Sequence, residues 1–163
     1  MIKLLKRNTL NLVLLLSMAG CAPKPLIKVD IDTYMKNQVQ YKDKNVVIVT
    51  TLKDVMAHYD LYKGKDIELS APVTYYGKSL FWTWYLMLEK DGMKLRCYED
   101  KYRQYPDSLA VDVGLRARSS GEAVTVRGKL YSDGISLDRI IYDGYNINTN
   151  NPVRPTVPLM LRY

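Results

Sequence analysis

Histidine and cysteine are nearly absent from this chain of 163 residues: His58 is the single histidine, and Cys21 and Cys97 are the two cysteines. That scarcity removes several chemistries at once. A Cys/His dyad needs an accessible thiol beside an imidazole, and a nitrogen-rich zinc site needs more than one imidazole. No glycine-rich phosphate loop and no nucleophile-elbow serine motif occurs, and no internal repeat is visible. The adjacent acids Glu99 and Asp100 could serve a glycosidase, but neighbours on a strand face opposite sides, so they read as a solvated strand end. No catalytic set, metal site or cofactor is therefore expected.

Long apolar runs are missing too. Leu10 to Leu16 forms a short apolar stretch, far below the roughly 20 residues that span a bilayer. It follows Lys3, Lys6 and Arg7 and precedes the small residues Ala19 and Gly20, the layout of a secretory signal peptide. Its end, Leu16-Ser17-Met18-Ala19-Gly20-Cys21, resembles the lipobox of bacterial lipoproteins. The resemblance implies cleavage before Cys21, a diacylglyceryl group on its sulfur, and residence in the cell envelope. Because Ala22 rather than Asp follows the cysteine, it also implies the outer membrane, facing the periplasm, in a diderm host.

The formal net charge of +7 falls once Lys3, Lys6 and Arg7 leave with the signal peptide, which leaves 21 basic against 17 acidic side chains. That balance is too mild to argue for nucleic acid. With Cys21 acylated, Cys97 has no disulfide partner and reads as a small buried hydrophobe.

The best-specified stretch is FWTWYLMLEKDGMKLRCYED, from Phe81 to Asp100. Asp91-Gly92 tolerates the positive φ angles of a two-residue hairpin turn. Counting outward pairs Lys90 with Met93, Glu89 with Lys94, Leu88 with Leu95, Met87 with Arg96, Leu86 with Cys97 and Tyr85 with Tyr98. One face then carries Leu86, Leu88, Leu95 and Cys97, with Trp82 and Trp84 read as packing; the other carries Phe81, Tyr85, Met87, Glu89, Lys94, Arg96 and Tyr98. A one-residue slip would invert both faces, so the register is fixed.

Around it, residues 21–44 begin Ala22-Pro23-Lys24-Pro25 and read as a tether after the lipidated Cys21, with a short strand possible between Leu26 and Met35. Asn45 to Thr50 is a β-branched run that predicts a strand. Thr51 and Asp54 resemble a helix cap, and Leu52, Val55, Met56 and Tyr59 at helical spacing predict an amphipathic helix from Leu52 to Tyr62, with His58 on its solvated side. Ile67, Leu69, Ala71 and Val73 alternate along a long strand bent at Pro72. Asp107-Ser108 opens a possible helix carrying Leu109, Val113 and Ala117. Val124, Val126, Gly128 and Leu130 oppose Thr125, Arg127, Lys129 and Tyr131 on a fourth strand, and Asp133-Gly134 turns into a fifth, Ile135 to about Tyr142. Residues 148–163, with Pro152, Pro155 and Pro158, read as an extended or disordered tail.

The segments KGKDIELSAPV, WYLMLEKDGMKLRCY and EAVTVRGKLYSDGISL together resemble the OB-fold. The resemblance implies a mainly β, five-stranded barrel within residues 45–147, with a short N-terminal helix and extended flanks. It also implies a binding face on the outer surface of the hairpin, where oligonucleotides or oligosaccharides lie in OB-folds. Phe81, Tyr85, Lys94, Arg96 and Tyr98 are the candidates there, with Arg127 on a strand of the same barrel. Two alternatives stay open: the face meets a ligand, or the protein's own flanking segments cover it. The expected role is a non-catalytic module for an envelope protein, peptide or glycan. Extracytoplasmic nucleic-acid binding is the alternative, disfavoured because export removes most nucleic acid, and an envelope hydrolase is the other.

Overall fold

The computed structural model describes residues 24–78, 84–99, 108–142 and 145–148. Its longest strand, β3, runs Asp66–Lys78 in this order of elements: β1 Leu26–Val29, α1 Ile31–Lys36, α2 Gln38–Tyr41, β2 Asn45–Val49, α3 Leu52–Ala57, α4 Tyr59–Tyr62, then β3. There follow β4 Trp84–Lys90, β5 Met93–Tyr98, α5 Ser108–Ser120, β6 Ala123–Tyr131, β7 Gly134–Tyr142 and β8 Tyr145–Asn148. The chain is mainly β.

Five of these strands close a ring. β3 pairs antiparallel with β6 through residues 66–72 and with β4 through residues 73–78, so one strand serves two neighbours along its length. β4 pairs with β5, β5 runs parallel to β7 at Cys97 and Tyr98, and β7 pairs with β6 to complete the circuit. The hairpin register is the predicted one at all six positions, and the turn residues take the expected positive φ, 53° at Asp91 and 79° at Gly92. Alternation places Ile67, Leu69, Ala71, Val73, Leu86, Leu88, Leu95, Cys97, Val124, Val126 and Leu130 inside the ring, where all are buried. α5 crosses β3 with Val113 and Ala117 buried, as their spacing predicts; the side chain of Leu109 lies outside the described residues.

The second hairpin turns one residue earlier than its sequence suggests. Tyr131 pairs with Gly134, so Ser132 and Asp133 form the turn and Gly134 opens β7. The reason is steric. Gly134 has φ 139°, and a Cβ there would collide with the Arg96 carbonyl oxygen, so glycine is needed where β7 closes onto β5.

The N-terminal part differs more. Residues 24–44 carry the short strand read there, as β1, but also two short helices in place of a tether, and β1 lies parallel to β2. β2 in turn lies parallel to β3 at Ile48–Ile67 and Val49–Glu68, which extends the sheet outward from the ring. Thr51 caps α3 as expected, its hydroxyl accepting from the Asp54 N–H at 3.1 Å. The predicted continuous helix is broken at exposed His58 (φ −132°, ψ 43°), beyond which the Tyr59 hydroxyl donates to the Tyr131 carbonyl and Tyr62 turns inward. Ile48, Leu52, Val55 and Tyr62 join the core of the ring.

Two further differences concern polar residues and the C-terminal side. Glu99 is not a solvated strand end: it is 2% exposed, and the Tyr76 hydroxyl donates to its Oε1 at 2.9 Å. β8 continues the sheet past β7 to Asn148, beyond the predicted end of regular structure.

Candidate functional site: the outer face of the hairpin

The structure gathers Tyr85, Lys94, Arg96 and Tyr98 on the outer face of β4 and β5, as the register requires. Tyr85 and Tyr98 are directly opposed across the ladder, with ring centroids 6.0 Å apart and planes tilted by 49°. The Arg96 guanidinium lies 5.8 Å from the Tyr85 ring centroid, and its Nη1 donates to the Tyr98 hydroxyl at 3.3 Å. That hydrogen bond favours the charged guanidinium. Lys94 pairs with its cross-strand neighbour Glu89 at 3.4 Å, and the Thr74 hydroxyl donates to the same Glu89 oxygen at 3.1 Å.

A third tyrosine completes the group. Tyr75 stacks on Tyr85 with centroids 5.1 Å apart and planes 30° from parallel. Simple alternation from Ile67 to Val73 would turn Tyr75 inward. The ladder instead slips between Val73 and Tyr75, leaving Thr74 and Tyr75 both outside and returning Tyr76 to the core. The ring of Tyr75 lies across Gly77, whose cross-strand partner is Tyr85. Sequence reasoning missed Tyr75; the available signal was the bend at Pro72 followed by two successive tyrosines, of which one must face out. Burial between its neighbours raises the Tyr85 hydroxyl above its ordinary pKa, with the Tyr75 hydroxyl adding to the effect.

Arg127 does not belong to this face. It is 9% exposed on β6, directly opposite Glu68 on β3, and donates to the Glu68 carboxylate from Nε at 3.1 Å and Nη2 at 2.7 Å. Lys28 of β1 binds the other oxygen of Glu68. The physical reason is the extended sheet: β1 and β2 lie beside this end of β3, so an outward direction on β6 there ends in a buried ion pair. The same segment answers the covering question for the described residues. It is laid on the Arg127 end of the sheet, while Lys94 and Arg96 stay exposed and Tyr75 keeps 38% of its surface. Phe81 and Cys21 lie outside the described residues, as does Trp82. Trp84 packs half-buried against the core, as read. Cys97 is fully buried on the core side of the hairpin, and burial pushes its thiol far up, away from the reactive thiolate.

A shallow groove lies elsewhere, between the start of α1 and α3–α4. It is lined by Val49, Leu61 and His58 and by Asp30, Asp32 and Asp54. Asp30 caps α1 through Thr33, and Asp54 bonds to Thr51, so two of its acids already serve helix ends.

No protein-family model matches the sequence, and no curated protein matches it. Among solved structures, apo TiaS, the tRNAIle2 agmatidine synthetase, is similar over 56% of this chain and 20% of its own, at 18% identity and a TM-score of 0.38. A tRNA fluorescent labelling enzyme is similar over 58% of this chain and 20% of its own, at 17% identity and a TM-score of 0.38. OBody AM1L10, solved bound to hen egg-white lysozyme, is similar over 53% of this chain and 83% of its own, at 18% identity and a TM-score of 0.36. The chain thus spans about a fifth of the length of the two enzymes.

Proposed function

We propose that this chain is a lipid-anchored protein of the cell envelope whose five-stranded ring is an OB-fold barrel, and that it binds an envelope partner through the outer face of its hairpin. The anchor reading rests on the order of basic residues, apolar run, Ala19-Gly20 and Cys21. The barrel reading is supported by the connectivity. The ring's first strand is long and serves both the second and the fourth, its third and fifth are parallel, and a helix joins its third and fourth. The observation that carries the binding reading is the row Tyr75, Tyr85 and Tyr98 on three adjacent strands, with Arg96 held against it. Tyrosine and arginine in one cluster are the residue types that dominate interface energies.

The test is capture from crosslinked cells carrying the native lipoprotein, compared with the double variant Tyr75→Ala, Tyr85→Ala. Specific capture should be lost while the variant melts only a few degrees below the parent, since both side chains stand outside the core and only their mutual stack and flanking contacts are lost. A variant that melts many degrees lower, yet captures normally once folded, would show that the tyrosines are structural. Binding of a single-stranded oligodeoxynucleotide with a steep salt dependence would move the reading to extracytoplasmic nucleic acid.

A further inference from the structure

Arg96 is exposed and, among the described residues, forms no ion pair with a carboxylate. The hairpin's own acid on this face, Glu89, is taken by Lys94 and Thr74. Asp133 acts on Arg96 from a distance and, among the described residues, forms no ion pair with it. What holds the guanidinium is aromatic: the Tyr85 ring beneath it and the Tyr98 hydroxyl at Nη1. Stacking of this kind orders the side chain before any ligand arrives and leaves further N–H donors of the planar fork for a carboxylate. The Tyr98 hydroxyl accepts from Arg96 and still has its own proton to give.

The tyrosines themselves narrow the ligand. Tyr85 sits on the middle strand, with Tyr75 at 5.1 Å from β3, and with Arg96 at 5.8 Å and Tyr98 at 6.0 Å from β5. Flat ligands such as nucleobases need an open aromatic face. The protein's own side chains occupy the two flanks of Tyr85, the central ring of the row, so that ring does not offer an open face for stacking. Such a surface suits a side-chain carboxylate on an extended chain better than a base or a sugar ring.

We infer that this face docks an acidic peptide segment of a partner protein, one of whose carboxylates pairs with Arg96 and accepts from the Tyr98 hydroxyl. The inference rests on the reading that this face is the binding face. Its probe is a fluorescein-labelled octaglutamate peptide, titrated by anisotropy against the full chain in detergent. Oligogalacturonate and oligodeoxythymidylate of matched charge serve as competitors. Octaglutamate should bind and be displaced poorly by both competitors. Arg96→Gln should weaken it about tenfold, the loss of one charge-assisted pair. Arg96→Lys should recover little of that loss, because an ammonium lacks the fork, and Tyr98→Phe should cost several-fold. Lys129→Gln, the same charge change at an exposed position on β6, should leave the affinity unaltered. Equal loss in Lys129→Gln and Arg96→Gln would mean net charge alone attracts the peptide, and would overturn the inference. So would oligogalacturonate or oligodeoxythymidylate binding as tightly as the peptide. If Arg96→Gln binds octaglutamate like the parent while Tyr75→Ala, Tyr85→Ala still abolishes partner capture, the carboxylate assignment falls and the binding face stands. If that double variant also captures normally, both fall.

Discussion

Replacing Glu68 by Gln isolates the buried ion pair that joins β3 to β6 inside the ring. The Glu68 and Arg127 side chains keep only 8% and 10% of their surface, and Arg127 makes two hydrogen bonds to one carboxylate oxygen. Removing one partner of such a pair strands the other as a buried charge, which costs about 3–5 kcal/mol. Lys28, whose side chain is 49% exposed, contributes little to that figure, because exposed pairs are worth about 0–1 kcal/mol. The Gln amide can still accept one bond, so the lower end, about 3 kcal/mol, is the expected loss for Glu68→Gln. That corresponds to roughly 10 °C in melting temperature for a domain of this size. The double replacement Glu68→Leu, Arg127→Met should restore most of the loss, since it leaves no buried member of the pair stranded and the Lys28 it frees is half-exposed to water.

The pH dependence gives a second readout. Burial raises the Glu68 carboxyl, but hydrogen bonds and charge from Lys28 and Arg127 outweigh it and hold the group below its ordinary value of 4.5. A carboxyl depressed on folding adds stability above its unfolded pKa and loses it as pH falls through the lower folded value. The parent should therefore lose melting temperature below about pH 4.5, and Glu68→Gln should lose less over the same range. Asp138, the extra residue of β7 opposite Arg127 and Gly128, has the reverse sign. Burial raises it, so what it contributes is lost as pH rises, and it does not counterfeit the acid limb. Urea denaturation followed by circular dichroism measures the first effect, and melting curves from pH 7 to pH 3 the second. A Glu68→Gln variant within 1 kcal/mol of the parent would refute the burial reasoning and return Arg127 to the candidates for ligand contact.

How far the sequence spoke depends on the range of the interaction. The hairpin from Trp84 to Tyr98 was legible because period-two alternation and Asp91-Gly92 are both local. The inward faces of β3 and β6 followed from the same rule, and Val113 and Ala117 followed from helical spacing. Tyr75 was not legible, because one extra residue at Thr74 reverses the alternation, and no local pattern marks where a bulge falls. Arg127 was placed on the correct side of its strand and still assigned the wrong environment. What lies over it is Glu68 and, through it, Lys28, whose approach depends on β1 pairing with β2 and β2 with β3. The turn at Ser132–Asp133 was displaced by a constraint from another strand, the Arg96 backbone against Gly134. Local chemistry gave the face and two of its three tyrosines; the third, and the exclusion of Arg127, depended on contacts distant in sequence.

Three further outcomes are expected. Cys21→Ser should accumulate as an unprocessed precursor that takes up no labelled palmitate; equal labelling of variant and parent would end the anchor proposal. Leu86→Ala and Leu95→Ala, at 0% and 4% exposure, should each cost about 2–5 kcal/mol, against well under 1 kcal/mol for Lys94→Ala on the opposite face. Similar melting of the two classes would mean the register is wrong. The last concerns Gly77, where a Cβ would stand 2.5 Å from the Tyr75 hydroxyl and 2.9 Å from its ring carbon Cζ. Those atoms are the far end of a side chain that can swing into solvent, so Gly77→Ala should expel Tyr75 without moving a strand. The lost Tyr75–Tyr85 stack costs about 0.5–1.5 kcal/mol, and replacing a strand glycine by alanine returns about 0.5–1 kcal/mol. The two nearly cancel, so the variant should melt within about 1 kcal/mol of the parent while capturing partner as poorly as Tyr75→Ala. Normal capture by Gly77→Ala, with Tyr75→Ala defective, would show that the tyrosine reaches its partner from a different position than across Gly77. A large drop in melting would show that the glycine is needed by the backbone rather than by the ring above it.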